Sequence, residues 1–369
     1  MLNRISAHGD YELVQSKDEC CYKDVLDDFC NANEIYIMTF NISTKNDELI
    51  KLLDDVDENT EIHLITNIPN RYDKYLGKNN GEYTKSIARS KINYYLKKLD
   101  PGTRENNFNT FFNFNNHSKI IMTENIAFVG SANYSSESSN NYEIGLIIKD
   151  THVISKIKEV FIQTVEADSI KYYGTELDSL EVIFMSFYTQ ILEKAELMEK
   201  SLFWEDEKGN SHYNSTSAYM DWDDVEEIID MICHYKDNIS ELEEDELFMS
   251  LSQKINERNL DNINNLYEKS GSMYDLAMFN DQDFMDNYLE ENSMEAYDEY
   301  LNEYAQNAVE LAHDKRESLA EAAENEVVEF YKNIILLKKQ LSEVLEIISN
   351  MRKEESNINN TNIWKIVNE

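Results

Sequence analysis

Between residues 34 and 149, short β-branched runs alternate with amphipathic segments, and this alternation constrains the fold more than any other feature. Glu34–Asn41 (EIYIMTFN), Thr60–Asn67 (TEIHLITN), Phe108–Phe114 (FNTFFNF), Ser118–Thr123, Ile126–Val129 and Glu143–Lys149 each have the length and residue types of a strand. Residues 15–32, Asp47–Val56 and about Tyr83–Leu99 instead place apolar residues at helical spacing, the last closed by Asp100-Pro101-Gly102. Strands interleaved with helices predict an α/β fold, a mixed sheet with flanking helices. His63 alternates with Ile62 and Leu64 and reads as a half-buried strand residue.

The pattern changes after a helix ending near Ala167. No proline follows Pro101 and glycine becomes rare, a composition that favours helix throughout. The expected organisation is an α/β domain over residues 1–170 and an all-α helical domain over 171–369. Leu177–Trp204 and Asp223–Ser240 read as amphipathic helices joined by polar connections such as Gly209–Ser217. In the last helix, about residues 320–352, Val327, Phe330, Ile334, Leu337, Leu341, Val344, Ile348 and Met351 alternate in steps of three and four. Ile335, Leu336, Leu345 and Ile347 widen that stripe, which favours packing inside a helical bundle over an intermolecular coiled coil.

Charge is divided as unevenly as structure. The chain carries a net charge of −38. Residues 1–150 hold 16 Lys and Arg against 23 Asp and Glu, so the remaining residues carry −31 of that total. Such acidity repels nucleic acid and anionic membranes on average. Yet Arg71, Lys74, Lys78, Lys85, Arg89, Lys91, Lys97, Lys98 and Arg104 crowd one segment against only Asp73, Glu82 and Asp100. That segment reads either as an exposed helix face or as a surface that tracks phosphates. The rings of Phe108–Phe114 offer either core packing or a stacking platform for bases. No apolar window is long enough for a membrane span, and the first residues lack a signal-peptide core. A soluble cytoplasmic protein without membrane contact is therefore expected. Cys20, Cys21, Cys30 and Cys233 have no metal or disulfide spacing and read as buried thiols.

The chemistry concentrates between residues 117 and 143. His117-Ser-Lys119 is followed by Glu124, by Gly130-Ser131-Ala-Asn133 and by Glu143 at the head of an apolar run. On a strand, residues two apart face one side, so His117 and Lys119 would point into one cleft. An imidazole can attack phosphorus and split one displacement into two. Lys119, Asn133 and Ser131 offer donors to the charge that develops on the non-bridging oxygens. Glu143 is suited to hold the other ring nitrogen of His117 and fix its tautomer. The set calls for no metal and no cofactor.

These residues, in this order and spacing, resemble the HxK…D…GSxN signature of the phospholipase D superfamily. The likeness covers roughly residues 10–165. It implies His117 as nucleophile, Lys119, Asn133 and Glu143 as its catalytic partners, and Gly130, Ser131 and Glu124 in support. Glu124 departs from the family, which has Asp at that place.

A complete site in this superfamily resembles two such halves facing each other, one His attacking and the other acting as general acid. No second half follows here. His234-Tyr235-Lys236 and His313-Asp314-Lys315 lie in helical, acidic surroundings with no GSxN after them. The resemblance therefore implies a homodimer that completes the active site, as in small bacterial nucleases. The expected function is a metal-independent phosphodiesterase, a nuclease acting on DNA or RNA through a phosphohistidine, with a bacterial defence effector as its expected setting. The acidic helices would regulate it, by covering the cleft or by binding a protein partner. A lipid phosphodiesterase and a non-catalytic assembly protein that keeps the fold are the alternatives.

Overall fold

Nine strands form one mixed sheet in the first part of the chain. The computed structural model describes residues 2–43, 48–68, 92–240, 251, 257–266, 271–293 and 301–367. The strands are β1 (Leu2–His8), β2 (Tyr11–Ser16), β3 (Glu34–Thr39), β4 (Glu61–Thr66), β5 (Asn107–Phe112), β6 (Ile120–Thr123), β7 (Ala127–Gly130), β8 (Glu143–Ile148) and β9 (Ile170–Tyr172). They lie in the order β1-β2-β8-β7-β6-β3-β4-β5-β9. Only β3-β4-β5 run parallel, and the other pairings are antiparallel. The parallel strands are buried on both faces, which is why β3 and β4 read as nearly continuous apolar runs.

Helices cover the sheet. These are α1 (Lys23–Asp28), α2 (Glu48–Asp54), α3 (residues 92–98), α4 (Thr151–Lys156) and α5 (Gln163–Ala167), with a π-helical turn, Ile157–Ile162, joining the last two. Ile154, Ile157 and Ile162 close over Met38, Ile65, Phe111, Ile120 and Met122 on one face. Asp150 caps this run, accepting from the main-chain N–H of His152 and of Val153.

Three sequence expectations are corrected. Residues 15–32 do not form one helix: β2 runs to Ser16, Asp18 takes a left-handed backbone with φ of 63°, and helix begins only at Lys23. Val14 and Ser16 are buried with exposed neighbours between and beside them, a period of two that belongs to a strand. The hairpin of β1 and β2, turning at Gly9 with φ of 52°, carries too many polar residues to read as sheet. His117 and Lys119 precede the ladder, which starts at Ile120.

The chain divides into compact units Met1–Ser186 and Phe187–Glu369. Helix α6 (Glu176–Leu202) crosses that division. The second unit holds α7 (Trp222–Ser240), α8 (Glu257–Leu266), α9 (Ser272–Met278), α10 (Asp281–Ser293) and α11 (Leu301–Val367). It also holds a short hairpin, Phe203–Glu205 with Ser211–Tyr213, where a helix end and the polar connection Gly209–Ser217 were expected. Asp206 takes the main-chain N–H of Lys208 and Asn210 there, and Gly209 sits at φ of 77°, a turn chemistry that closes the hairpin. In α11, Val327, Phe330, Ile334, Leu337, Leu341, Val344 and Ile348 are each fully buried, with α8, α9 and α10 packed along the helix.

Candidate active site

Because β3, β4 and β5 are parallel, their carboxyl ends share one edge of the sheet, the usual place for a ligand in such folds. The arm before β6, the end of β7 and the start of β8 lie at the same edge. Residues 117–119 therefore meet residues 130–143 there.

His117 is exposed, and its ring centroid lies 4.7 Å from that of Phe40, with the planes at 58°. Lys119 Nζ sits 5.6 Å from the same Phe40 ring and donates to the main-chain carbonyl of His117 at 2.8 Å. Both residues thus lie against the Phe40 ring. Asn116, buried beside them, donates from Nδ2 to the Thr39 carbonyl at 2.9 Å and accepts from the Ser118 N–H at 2.9 Å. Asn67 Nδ2 holds the carbonyl of Phe114 at 2.8 Å.

On the other side, Gly130 ends β7 directly opposite Gly145 of β8. A Cβ on Gly130 would come within 2.5 Å of the Ile144 carbonyl and of the Phe128 ring, so the pair of glycines makes room for Phe128. Ser131 donates from its main-chain N–H to the Ile144 carbonyl at 2.9 Å, and its hydroxyl donates to the Glu143 carboxylate. That hydroxyl also accepts from the Ile144 N–H at 3.1 Å. Glu143 is buried, and within this chain its described side-chain partner is Ser131.

Asn133 is fixed by its backbone: its N–H donates to Ser138 Oγ at 3.0 Å and its carbonyl accepts from Tyr22 at 3.0 Å. Its side-chain Oδ1 lies 3.5 Å from Thr39 Oγ1, which also accepts the Tyr134 N–H at 2.9 Å. Thr39 is wholly buried and binds both segments, Asn116 through its carbonyl and Tyr134 through its hydroxyl. Thr39, Phe40 and Asn116 were not singled out from sequence. The signal for Asn116 was present in the polar Asn115-Asn116 pair that interrupts an apolar stretch just before His117.

Glu124 stands apart from the edge. It accepts from Asn33 N–H and Nδ2, both at 2.8 Å, and from the Glu34 N–H at 3.2 Å, tying the β6–β7 turn to the head of β3. Burial pushes its carboxyl up, and these donors together outweigh that and hold it below the ordinary carboxylate value.

His63 is half-buried between Glu166, whose carboxylate lies 2.6 Å from Nδ1, and Glu61, 2.9 Å from Nε2 but off the donor direction. Desolvation lowers its basicity, and the two carboxylates more than reverse it, raising the imidazole above its ordinary value.

Of the basic segment, Arg71, Lys74, Lys78, Lys85, Arg89 and Lys91 lie outside the described residues. Lys98 donates to the Ser43 carbonyl at 2.7 Å and to Tyr94 at 2.8 Å. Arg104 pairs with Asp54, donates to the Lys98 carbonyl at 2.6 Å and lies over the Phe108 ring. Lys97 is exposed. His234 and His313 fall within helices α7 and α11. Among the described residues, His313, Asp314 and Glu317 of α11 bring possible metal-ligand atoms within 4.8 Å of one another, largely exposed to solvent. Cys20 and Cys21 are partly or fully covered, whereas Cys30 and Cys233 are exposed. No described helix is long and apolar enough to cross a membrane.

The family model described as "Cardiolipin synthase, PLD-like domain" matches residues 29–165. No curated protein matches the chain. Among solved structures, Nuc from Salmonella typhimurium, a phospholipase D family member, is 13% identical with a TM-score of 0.31, covering 44% of this chain and 97% of that one. NucT from Helicobacter pylori is 16% identical with a TM-score of 0.31, covering 44% and 99%. Phosphatidylserine synthase from Haemophilus influenzae is 13% identical with a TM-score of 0.31, covering 52% and 46%.

Proposed function

We propose that the chain, whose residues 29–165 match a PLD-like domain, is a phospholipase D superfamily member acting as a metal-independent nuclease whose active site is completed by a second copy of itself. The observation that carries this reading is the meeting of His117 and Lys119 with the Gly130–Asn133 loop across the shared anchor Thr39. Two segments separated in sequence are held at one sheet edge, with His117 exposed to a substrate.

In the proposed reaction a ring nitrogen of His117 attacks the phosphorus. A P–N bond forms as the bond to the leaving oxygen breaks, and that oxygen takes a proton from the second copy's imidazole. Water then attacks phosphorus, the second imidazole accepts its proton, and the P–N bond breaks to free His117. Lys119 and the Asn133 amide stabilise the charge on the non-bridging oxygens. Glu143, buried and bound to Ser131, fixes the loop that presents Asn133, and its remaining acceptor capacity is suited to an imidazole.

A second copy has an apolar surface to meet. Ile5 lies opposite Leu13 and Leu13 opposite Leu146, with Ile144 beside them, on one sheet face. Ile5, Leu13 and Ile144 remain 67%, 41% and 56% exposed, high for apolar residues in the middle of a ladder.

The test is hydrolysis of DNA, RNA and phospholipid by the full chain in EDTA, with acid-labile, base-stable phosphate on His117 in trapped enzyme. Loss of cleavage in His117→Ala is the expected result. Cleavage that needs added Mg²⁺ or survives His117→Ala would overturn the mechanism. Turnover of phospholipid alone would reassign the substrate.

A further inference from the structure

A cleft of about 660 Å³ opens in the first unit between α2, α3 and the 3-10 turn Pro101–Thr103. Its ionisable lining is Lys51, Lys97, Lys98 and Arg104 against Asp54 and Glu105, an excess of cations in a chain of net charge −38. Lys51 and Lys97 are exposed and, among the described residues, hold no carboxylate. Lys98 and Arg104 form a fixed floor, since their donors are tied to Ser43, Tyr94, Asp54 and the Lys98 carbonyl. The Arg104 side chain is only 8% exposed. Its Nε, and Oδ1 of Asn106 on the same wall, are buried polar atoms without a partner among the described residues. The unpaired Arg104 donor favours an anion, whereas the Asn106 oxygen is an acceptor and does not.

Two hydrogen bonds tie the elements around the cleft to the proposed active site. Tyr134, next to Asn133, donates to the carbonyl of Leu49 in α2 at 2.6 Å, and Lys98 holds the carbonyl of Ser43, three residues past Phe40. At the other end of α2, Asp54 holds Arg104. The cleft therefore runs along α2 away from the loop that carries Asn133. A polymer fixed at His117 that followed α2 would meet these cations, with the Tyr94 ring in the wall of the cleft. Cations spaced along a groove with an aromatic ring suit a single strand, whose phosphates and base faces are both accessible. A duplex presents no base face to such a wall.

We propose that this cleft binds single-stranded nucleic acid beyond the scissile phosphate, with Lys51 and Lys97 as its phosphate contacts; the substrate class rests on the nuclease reading of the His117 site. The measurement is fluorescence anisotropy of a labelled single-stranded oligonucleotide with the full chain over a range of salt. Lys51→Gln with Lys97→Gln should weaken binding by about tenfold at low ionic strength and reduce the slope of log affinity against log salt by about 1.4. Lys200→Gln with Lys208→Gln, which removes equal charge at exposed sites of the second unit, serves as control and should bind like the natural chain. The proposal is overturned if the first pair binds unchanged, if the control weakens binding equally, or if the natural chain binds no oligonucleotide. Since binding is read without turnover, an inactive His117 would sink the phosphohistidine mechanism and leave this measurement intact.

Discussion

Asn116 Nδ2 donates to the main-chain carbonyl of Thr39 at 2.9 Å, and this one bond pins the residue before His117 to the end of β3. Asn116→Ala removes both that donor and the acceptor for the Ser118 N–H. The arm then loses its register against Phe40. Turnover should fall by about 100-fold, with KM changed far less, because a small misplacement of a reacting group costs rate more than binding. Thermal unfolding should report a loss of about 1–2 kcal/mol. Steady-state hydrolysis that keeps its kcat would show that Asn116 has no positioning role.

The Gly130 and Gly145 pair sets a steric limit. A Cβ on Gly145 would run into the Phe128 ring and approach the Val129 carbonyl to 2.9 Å. Phe128 is fully buried and cannot swing away. Gly145→Ala should cost about 1–3 kcal/mol in urea unfolding, as overpacked cores do. A midpoint equal to that of the natural chain would mean that β7 and β8 part more readily than this packing allows.

Glu124 gives the acid limb of stability a defined contributor. Its folded value lies below the ordinary 4.5, so its contribution is fully present above that pH and is lost as pH falls through the folded value. Glu124→Gln should flatten the pH dependence of unfolding below about pH 4.5 and lower stability near neutrality by about 1–2 kcal/mol, because one carboxylate now serves three donors. Chemical denaturation from pH 3 to pH 7 tests this, and an unchanged acid limb would assign the effect to other carboxylates.

His63 works with the opposite sign. Its folded value is raised above 6.5, so its pairing with Glu166 and Glu61 stabilises fully below that pH and fades as pH climbs through the folded value. Tyr36 and Phe111 flank the ring, and Lys158, which sits above Tyr36, pairs with Glu34. Loss of stability on raising the pH above 6.5 should disappear in His63→Gln. Its persistence in that variant would place the proton elsewhere.

The sheet and the half-site were legible because their signals are local. β-branched runs marked β3, β4, β7 and β8, and the spacing of His117, Lys119, Gly130 and Asn133 needed no tertiary knowledge. Phe40 and Thr39 were not legible, since nothing in TFN at a strand end says which loop will fold over it. The β1–β2 hairpin escaped for a similar reason: most of its residues, apolar Ile5 and Leu13 among them, stay exposed, and only Val14 and Ser16 report the alternation. Glu124 was read as the one departure in the signature. Its place at the head of β3 shows how the longer side chain is used, since it spans to two main-chain N–H groups and an amide at once.

The heptad stripe of α11 has a consequence for assembly. Val327, Phe330, Ile334, Leu337, Leu341, Val344 and Ile348 are already enclosed by their own chain. Zipping α11 onto another copy through that stripe and folding the second unit are therefore competing outcomes for one surface. Self-association through α11 that leaves the unit intact must use other rows of the helix, such as the one exposing Ile335 and Leu336. A dimer built instead on the stripe would form only by exchange of helices, at the slow rate at which the second unit opens.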